Sequence, residues 1–250
     1  GNQVFITQAI EAQGLRQLIC FDRRTGRQLW KSEVEYRVKE PTHRTNPFCS
    51  ASPVTDGKHV VVSHASAGLF CYDMKGKRLW SRDLGVQHHV WGNAASPVIH
   101  GNLCLFNFGP GERTFLIAVS LKDGSTVWQH DEPGGSSGIP KEGGTRGKWV
   151  GSWATPVFIE AKTGPQLLMT FPNRVVAFDP AKGYELWDCK GLNPLVYTSP
   201  IYGDGIVVAM GGFSGTAMGV RAGGKGDVTK THQLWTRPRE KQRIGSGVMV

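Results

Sequence analysis

A repeated tryptophan motif is the feature that most constrains how this chain of 250 residues can fold. Each copy has a short apolar run, a polar turn that contains glycine, and then Leu-Trp or Val-Trp, and the fifth copy is looser. The repeated tryptophans are Trp30, Trp80, Trp128, Trp187 and Trp235. Their spacings of 50, 48, 59 and 48 residues indicate a protein built from one supersecondary unit per repeat.

A second signature precedes the later four of these tryptophans. Its copies are Ser52-Pro53-Val54, Ser96-Pro97-Val98, Thr155-Pro156-Val157 and Ser199-Pro200-Ile201, and a degenerate copy, Ser246-Gly247-Val248, opens a further repeat. Because proline cannot donate to a β-ladder, the Ser-Pro strand is expected at an edge, beside the axis of a radial fold. The polar residues that follow each tryptophan suit an exposed outer edge.

Each unit therefore predicts four short strands: the Ser-Pro strand, a second apolar run, the strand before the turn and the tryptophan strand. The predicted fold class is all-β, a β-propeller of four-stranded antiparallel blades without helices. The chain is predicted to be a single domain over residues 1–250. Its predicted parts are a partial blade (1–47), four complete blades (48–90, 91–149, 150–195 and 196–243) and the start of another blade (244–250).

The two signatures together resemble the PQQ-like repeat, which occurs in quinoprotein dehydrogenases and in the outer-membrane-assembly lipoprotein of Gram-negative bacteria. The resemblance covers essentially the whole chain. It implies a ring of seven or eight blades, of which this chain is expected to be a fragment. It also implies a bacterial protein that is periplasmic or otherwise extracytoplasmic. One propeller fold serves many functions, so the resemblance alone does not choose among them.

Charge argues against a nucleic-acid partner. The 29 basic and 20 acidic residues give a net charge of +9, but the basic residues are dispersed over turns and strand ends.

No apolar run approaches the roughly 18 residues of a membrane-spanning helix, and no signal peptide is visible. Peripheral membrane association through segments outside this chain stays open, and the protein is expected to be a monomer.

The cysteines predict neither a metal site nor a catalytic thiol. The five cysteines contain no CxxC pair. When the third strands are aligned, Cys20 and Cys71 share a column with Ala118, Ala177 and Gly219, which indicates a position that requires a small side chain.

One glycine-rich stretch imitates a phosphate-binding loop. Gly219 and Gly224-Lys225 have the spacing of such a loop, but Gly226 follows where serine or threonine is required. Residues 221–231 are instead predicted to be an enlarged turn within a blade, which Asp227 and Thr229 cap internally.

The candidate functional residues lie on the connections between blades and, for Arg113, on the loop 107–113 within a blade, which is expected to open on the same rim. Four connections run from a tryptophan strand to the next Ser-Pro strand, and they vary widely in length and carry His, Arg, Asn, Trp and Tyr. Functional residues concentrate on loops that a rigid scaffold holds. The predicted binding rim consists of His43, Arg44, Asn46, His88, His89, Trp91, Arg113, Trp149 and Tyr197. The glycine-rich connection 133–151 adds Arg146 and Lys148.

Several alternatives stay open at these positions. Adjacent side chains of an extended segment face opposite ways, so His88 and His89 are not predicted to bind one metal ion. Trp91, Trp149 and Trp153 are equally consistent with packing between blades and with stacking on a ligand. Asn46 and Asn93 are conceivable calcium ligands, but the acidic residues Glu40, Glu112 and Glu142 lie on three separate loops.

The preferred function is that of a non-catalytic binding or scaffold propeller, which engages a protein or a glycan through the rim. No catalytic residue, metal or cofactor is predicted for it. The alternative is a quinoprotein-type oxidoreductase, with PQQ and calcium over the central funnel. This alternative rests on the resemblance, because quinoprotein dehydrogenases require a calcium site with a neighbouring aspartate as base.

Overall fold

The computed structural model describes residues 1–138, 149–241 and 243–248. The first sheet contains β1 (Gln3–Ile10), β2 (Leu15–Asp22) and β3 (Gln28–Glu35). The second sheet contains β4 (Val54–Thr55), β5 (His59–Ser63), β6 (Leu69–Asp73) and β7 (Arg78–Arg82). The third sheet contains β8 (Val98–His100), β9 (Leu103–Phe108), β10 (Thr114–Ser120) and β11 (Thr126–Glu132). Short 3-10 helices span Glu11–Gln13 and Ala65–Ala67.

The second half of the chain repeats this pattern with additions. The fourth sheet contains β13 (Val157–Ala161), β14 (Gly164–Phe171), β15 (Arg174–Phe178), β16 (Glu185–Lys190) and, as a fifth strand, β21 (Gly226–Asp227). The fifth sheet contains β18 (Ile201–Gly203), β19 (Ile206–Met210), β20 (Ala217–Arg221) and β22 (Gln233–Arg237). Two short strands, β12 (Gly151–Ser152) and β17 (Leu195–Val196), pair in parallel with each other.

Within each of the five sheets, strands that follow one another in the repeat are antiparallel neighbours. The first sheet has three strands, in the order β1-β2-β3, and the second, third and fifth have four. In the second to fifth sheets, the strand at one edge begins at the residue after the signature proline. The prediction of an all-β chain with four-stranded antiparallel sheets is confirmed.

The core lies between neighbouring sheets, because successive residues of a strand face opposite sides. In β5, Val60 and Val62 belong to a buried cluster with Leu18 of the first sheet, whereas Val61 packs in a cluster with Phe106 of the third. Both faces of the inner strands are therefore buried. In the sequence, these inner strands are therefore continuous apolar runs and do not alternate between apolar and polar residues.

Each repeated tryptophan pairs with the small residue of the aligned column. The pairs are Cys20–Trp30, Cys71–Trp80, Ala118–Trp128, Ala177–Trp187 and Gly219–Trp235. In every pair the register shifts immediately afterwards, so that a β-bulge follows at the same position of each sheet. A small residue opposite the indole leaves room for the ring on the face of the sheet.

Three of the tryptophans join their sheet to the next one. The indole N–H donates to a carbonyl in the turn of the following sheet: Trp30 to Met74 at 3.0 Å, Trp80 to Leu121 at 2.8 Å and Trp128 to Pro180 at 2.9 Å. A glycine of the same turn lies under each ring. A Cβ atom at Gly76 or Gly124 would lie within 2.8 Å of the ring of Trp30 or Trp80. These glycines also have positive φ angles, 86° and 73°, so the turn requires glycine on two grounds.

A second joint connects the sheets at the Ser-Pro signature. The backbone N–H of each signature serine or threonine donates to the hydroxyl oxygen of the next one along the chain. The bonds run from Ser52 to Ser96 (2.9 Å), Ser96 to Thr155 (3.0 Å), Thr155 to Ser199 (2.9 Å) and Ser199 to Ser246 (3.0 Å). These hydroxyl groups therefore link the second to the fifth sheets in series, and the fifth sheet to the segment that contains Ser246.

The joint between the fourth and fifth sheets differs from the others. The indole N–H of Trp187 donates to the Oε1 atom of Gln166 in its own sheet at 3.0 Å. The turn that would receive it is enlarged, and β21 within that enlargement pairs in parallel with β16, opposite Trp187 and Asp188. Trp187 is fully buried as a result.

Residues 221–231 form an enlarged turn between β20 and β22, as predicted, and at this joint they make a further contact that the prediction did not include. Asp227 accepts a hydrogen bond from the backbone of Thr229 at 3.0 Å, but its carboxylate also pairs with Lys190 of the preceding sheet at 2.8 Å. The segment is therefore anchored to another sheet as well as capped internally. This segment also contains α1 (Thr229–His232), a single helical turn of four residues in an otherwise all-β set of described residues. An unpaired outer edge on β16 gives the long insertion a place to pair.

Replacing Trp80 by alanine is expected to lower the free energy of unfolding by about 3–5 kcal/mol, because the substitution leaves a cavity between two sheets. The matched control is Trp235→Ala, at a tryptophan that is 40% exposed and has the same place in its sheet. It should cost about 1 kcal/mol or less. Urea denaturation of both variants is the measurement, and equal losses would contradict the role given to the inter-sheet joint.

Thr155→Val tests the hydroxyl joint, because valine keeps the shape of threonine and removes the acceptor of the Ser96 N–H. The expected loss is about 1 kcal/mol in the free energy of unfolding. Thr155→Ser keeps the hydroxyl, as do the other signature positions, and should retain more of the wild-type stability than the valine variant. Valine and serine variants of equal stability would contradict this joint.

Candidate functional site

The residues of the predicted rim divide into three groups. One group forms an aromatic cluster, a second lines a cavity beside it, and a third lies on the connection between the first and second sheets. The assignment of a ligand to any of them stays a prediction. Arg146, Lys148 and Glu142 lie outside the described residues.

The aromatic cluster consists of His89, Trp91, Trp149, Trp153 and Tyr197, which come from three connections between sheets. Trp91 and Trp149 meet edge to face with their ring centroids 4.6 Å apart. Trp153 and Tyr197 are stacked at 4.9 Å. Distances of this size are those of favourable aromatic pairs. The cluster therefore ties the connections together through their rings.

His89 and its neighbour His88 face opposite ways, as their adjacency predicts. His89 is fully buried, and its Nδ1 atom accepts a hydrogen bond from the backbone N–H of Trp91 at 3.2 Å. Burial lowers the pKa of His89 to about 4, so the ring is neutral at pH 7. His88 is exposed. The two imidazoles are therefore not arranged to share one ion.

The tryptophans of the cluster differ in exposure. Trp153 is buried, and its indole N–H donates to the carbonyl of Gly92 at 2.8 Å. Trp91 and Trp149 are each half-buried. Trp153 thus holds two connections in place, whereas Trp91 and Trp149 keep part of their surface at the rim.

Asn46 has a structural position that its sequence context does not reveal. Its side-chain N–H₂ donates to the carbonyls of Trp91 at 2.6 Å and Asn93 at 3.2 Å, and its side-chain oxygen accepts from the Ser50 hydroxyl. Asn107 makes the equivalent pair of bonds to Ser152 and Ala154. The amide of Asn46 is therefore used to align two connections.

His43 and Arg44 lie on the same connection as Asn46, and both are exposed. The Nδ1 atom of His43 is 2.8 Å from the hydroxyl of Thr45. Among the described residues, neither side chain belongs to the ring contacts of the aromatic cluster. They lie on the rim without joining its centre.

Arg113 and His88 line a cavity of ≈ 400 Å³ on the rim. Arg113 is held by a hydrogen bond from its Nη1 atom to the carbonyl of Leu84 at 3.0 Å. Its guanidinium also lies 5.4 Å from the ring centroid of Phe108 and 5.3 Å from that of Phe115. The side chain is thus held in place in the lining of the cavity.

Phe213 is the principal residue that the sequence analysis missed. Its ring centroid lies 5.9 Å from that of Tyr197, it is 61% exposed, and it has a φ of 53°. The guanidinium of Arg243 lies 5.5 Å from its ring centroid. Phe213 sits in the hairpin between β19 and β20, not in a connection between sheets. The Gly211-Gly212 pair in front of it is the signal that could have identified the loop.

Three possible metal-binding side chains converge in the described part of the chain, at His130, Glu132 and Glu185. Arg174 occupies the same place: its Nη2 atom lies 2.5 Å from Glu132 and 2.8 Å from Glu185. The guanidinium already balances the two carboxylates. This group is therefore an ion-pair network between the third and fourth sheets.

All five cysteines are free, and Cys20, Cys71, Cys104 and Cys189 are buried. Burial raises the pKa of the Cys71 thiol to about 12. It also raises the pKa of Cys20, Cys104 and Cys189. A thiol with a raised pKa is a poor nucleophile and a poor metal ligand at neutral pH.

In the described part of the chain, no helix has the length and apolarity needed to cross a membrane.

Comparison with known families identifies the repeat. The family model described as outer membrane protein assembly factor BamB matches residues 1–145. The chain belongs to this family. The resemblance to PQQ-like repeats is therefore confirmed. No curated protein sequence matches the chain significantly.

Solved structures with the same fold include BamB from Moraxella catarrhalis, which is 17% identical, with a TM-score of 0.65 over 97% of this chain and 62% of that chain. A europium-containing methanol dehydrogenase is 12% identical, with a TM-score of 0.66 over 95% of this chain and 49% of that one. A quinohemoprotein alcohol dehydrogenase from Comamonas testosteroni is also 12% identical, with a TM-score of 0.60 over 95% of this chain and 45% of that chain.

The chain thus spans between 45% and 62% of the length of these three proteins. Identities this low establish the fold alone. They confirm the predicted β-propeller, whereas the number of blades in a complete ring stays a prediction.

Acidification is expected to destabilise the protein through its two buried histidines. Burial lowers the pKa of His64 and of His89 from 6.5 to about 4. As the pH falls, the unfolded chain binds these protons first, so stability is lost between pH 6.5 and about pH 4. Each histidine should cost about 2 kcal/mol between pH 7 and pH 5.

Urea unfolding at pH 7 and pH 5 measures this dependence. His64→Gln and His89→Gln should each reduce it, while His43→Gln, at an exposed position, is the control. An unchanged pH dependence in both buried variants would show that these imidazoles are accessible to protons in the folded state.

Proposed function

We propose that this chain is a non-catalytic binding propeller that engages a protein partner through the aromatic cluster and Phe213. One observation carries the proposal: an exposed phenylalanine, flanked by an arginine, extends a packed set of rings at the rim. Phe213 is 61% exposed, although Tyr197 behind it is half-buried. Aromatic and arginine side chains supply most hot spots of protein interfaces.

The geometry of Phe213 supports a role in binding. Phe213 and Ser214 both have positive φ angles, 53° and 64°, a conformation that costs free energy in residues other than glycine. Such strain persists where surrounding structure imposes it. Here the backbone N–H of Phe213 donates to the carbonyl of Arg243, and Tyr197 supports the ring. The phenylalanine is thus presented to solvent in a fixed orientation, which lowers the entropic cost of binding.

A glycan is the second class of partner that the cluster could take. Trp91 and Trp149 keep partial exposure, and indole faces can stack on sugar rings. We favour a protein because the most exposed ring, that of Phe213, has no hydrogen-bonding group of its own. We also propose a monomeric protein in an extracytoplasmic compartment, which follows from the family resemblance.

The oxidoreductase alternative fits the described residues poorly. A calcium ion needs six to eight oxygen ligands that include carboxylates. Asn46 already uses its amide oxygen and nitrogen in bonds to neighbouring groups, and Glu40 is buried 3.6 Å from Arg16. No carboxylate belongs to the aromatic cluster as defined by the described residues. We therefore derive no step through PQQ or calcium.

A photo-crosslinking amino acid at position 213 is expected to give a discrete protein adduct in an envelope extract of the source organism. The matched control places the same group at Val127, which is exposed on β11. With the partner identified from the adduct and purified, Arg243→Ala and Trp91→Ala should weaken its binding. A hot spot worth about 2 kcal/mol corresponds to roughly thirtyfold in Kd.

Adducts from position 127 but not from position 213 would contradict the proposed surface. Saturable binding of a glycan that is lost in Trp91→Ala, without any protein adduct, would move the glycan to first place. Both experiments use the folded chain, checked by its unfolding transition.

A further inference from the structure

The cavity beside the aromatic cluster has an apolar side and a cationic side. Val38, Val86 and Pro110 form the apolar side, and Arg113 forms the cationic side, next to the imidazole of His88. Its volume, ≈ 400 Å³, lies within the range of sites that hold a few side chains or a small ligand.

The apolar side is open to solvent. Val38 is 55% exposed and Val86 is 48% exposed, and they come from two different connections between sheets. Two valines converging on one cavity present a surface that gains free energy when another apolar side chain covers it.

The cationic side is preorganised. The guanidinium of Arg113 has five N–H donors, and the bond to the Leu84 carbonyl accounts for one of them. The rings of Phe108 and Phe115, stacked on each other with centroids 4.6 Å apart, lie together on one side of the group. A planar guanidinium held in the lining of a cavity matches the geometry of a carboxylate.

Two acidic groups lie near the cavity. Glu40 is buried 3.6 Å from Arg16, and burial raises the pKa of its carboxyl, which reduces its negative charge. Glu112, which also lines the cavity, has an interaction partner of its own. The whole chain has a net charge of +9, which also favours an acidic partner.

We propose that this cavity binds an acidic side chain of the partner protein, with an adjacent apolar side chain packed between Val38 and Val86. The carboxylate pairs with Arg113 beside His88. This inference rests on the proposed function, in that a protein partner supplies the segment. It adds a second contact, of defined chemistry, to the aromatic one.

The probe is a fluorescein-labelled peptide, Gly-Val-Glu-Val-Gly with an amidated C-terminus, titrated with the protein and followed by fluorescence anisotropy. The same peptide with glutamine in place of glutamate should bind about tenfold more weakly, since a charge-assisted bond is lost. Binding of the glutamate peptide should weaken as salt is raised.

Matched variants locate the site. Val86→Asp places a carboxylate in the cavity and should weaken binding at least about tenfold, whereas Val127→Asp, at a residue that is also 48% exposed, should not. Glu112→Gln should strengthen binding, because it removes a like charge. A weakening in Glu112→Gln would show that the ligand donates to this carboxylate, and would overturn the acidic assignment.

Equal affinity for the glutamate and glutamine peptides would also overturn the inference, as would no binding up to millimolar protein. These outcomes leave the crosslinking result at position 213 unaffected. Failure of the cavity and failure of the proposed function are therefore distinguishable.

Discussion

The structure depends on the way one sheet is fixed to the next. At the first three interfaces an indole donates to a carbonyl in the neighbouring turn, as Trp80 does to Leu121. Near the Ser-Pro strand, a backbone amide donates to a hydroxyl, as Ser96 does to Thr155. Between the second and third sheets, and between the third and fourth, both bonds are present at separate places and fix the angle between the sheets, which apolar packing alone would leave adjustable. The connections between these sheets start and end at strands that the two bonds hold.

Much of this could be predicted from the sequence because it repeats within each unit. The pairing of Ala118 with Trp128 follows from spacing within one hairpin. The partners of the indole and of the signature hydroxyl lie in the next unit, more than 40 residues away, so spacing alone does not reveal them. The exception at Trp187 arises because β21, which lies in an insertion of the fifth sheet, pairs with the outer edge of the fourth sheet. The residue pattern within one unit cannot predict a pairing with another unit.

The candidate site shows the same division. Loop position and residue type were enough to select Trp91, Trp149 and Tyr197, which the fold brings together. Asn46 was selected for the same reasons, but its side-chain amide donates to two backbone carbonyls of the next connection. Its role in the structure is therefore to hold that connection in place. Phe213 was missed because it lies on a loop within a unit and, unlike Arg113 on the corresponding loop of the third sheet, is an apolar residue that gives no signal of a polar site.

Two titratable groups of the aromatic cluster, His89 and Tyr197, are better suited to packing than to proton transfer. Catalytic acids and bases work best with pKa values near the operating pH. In the aromatic cluster the shifts run the other way: burial lowers the pKa of His89 to about 4 and raises that of Tyr197 to about 12. Both groups stay neutral through the physiological range. The apolar burial that makes these rings poor proton carriers also makes them a rigid, uncharged platform, which is what the proposed binding through Phe213 requires.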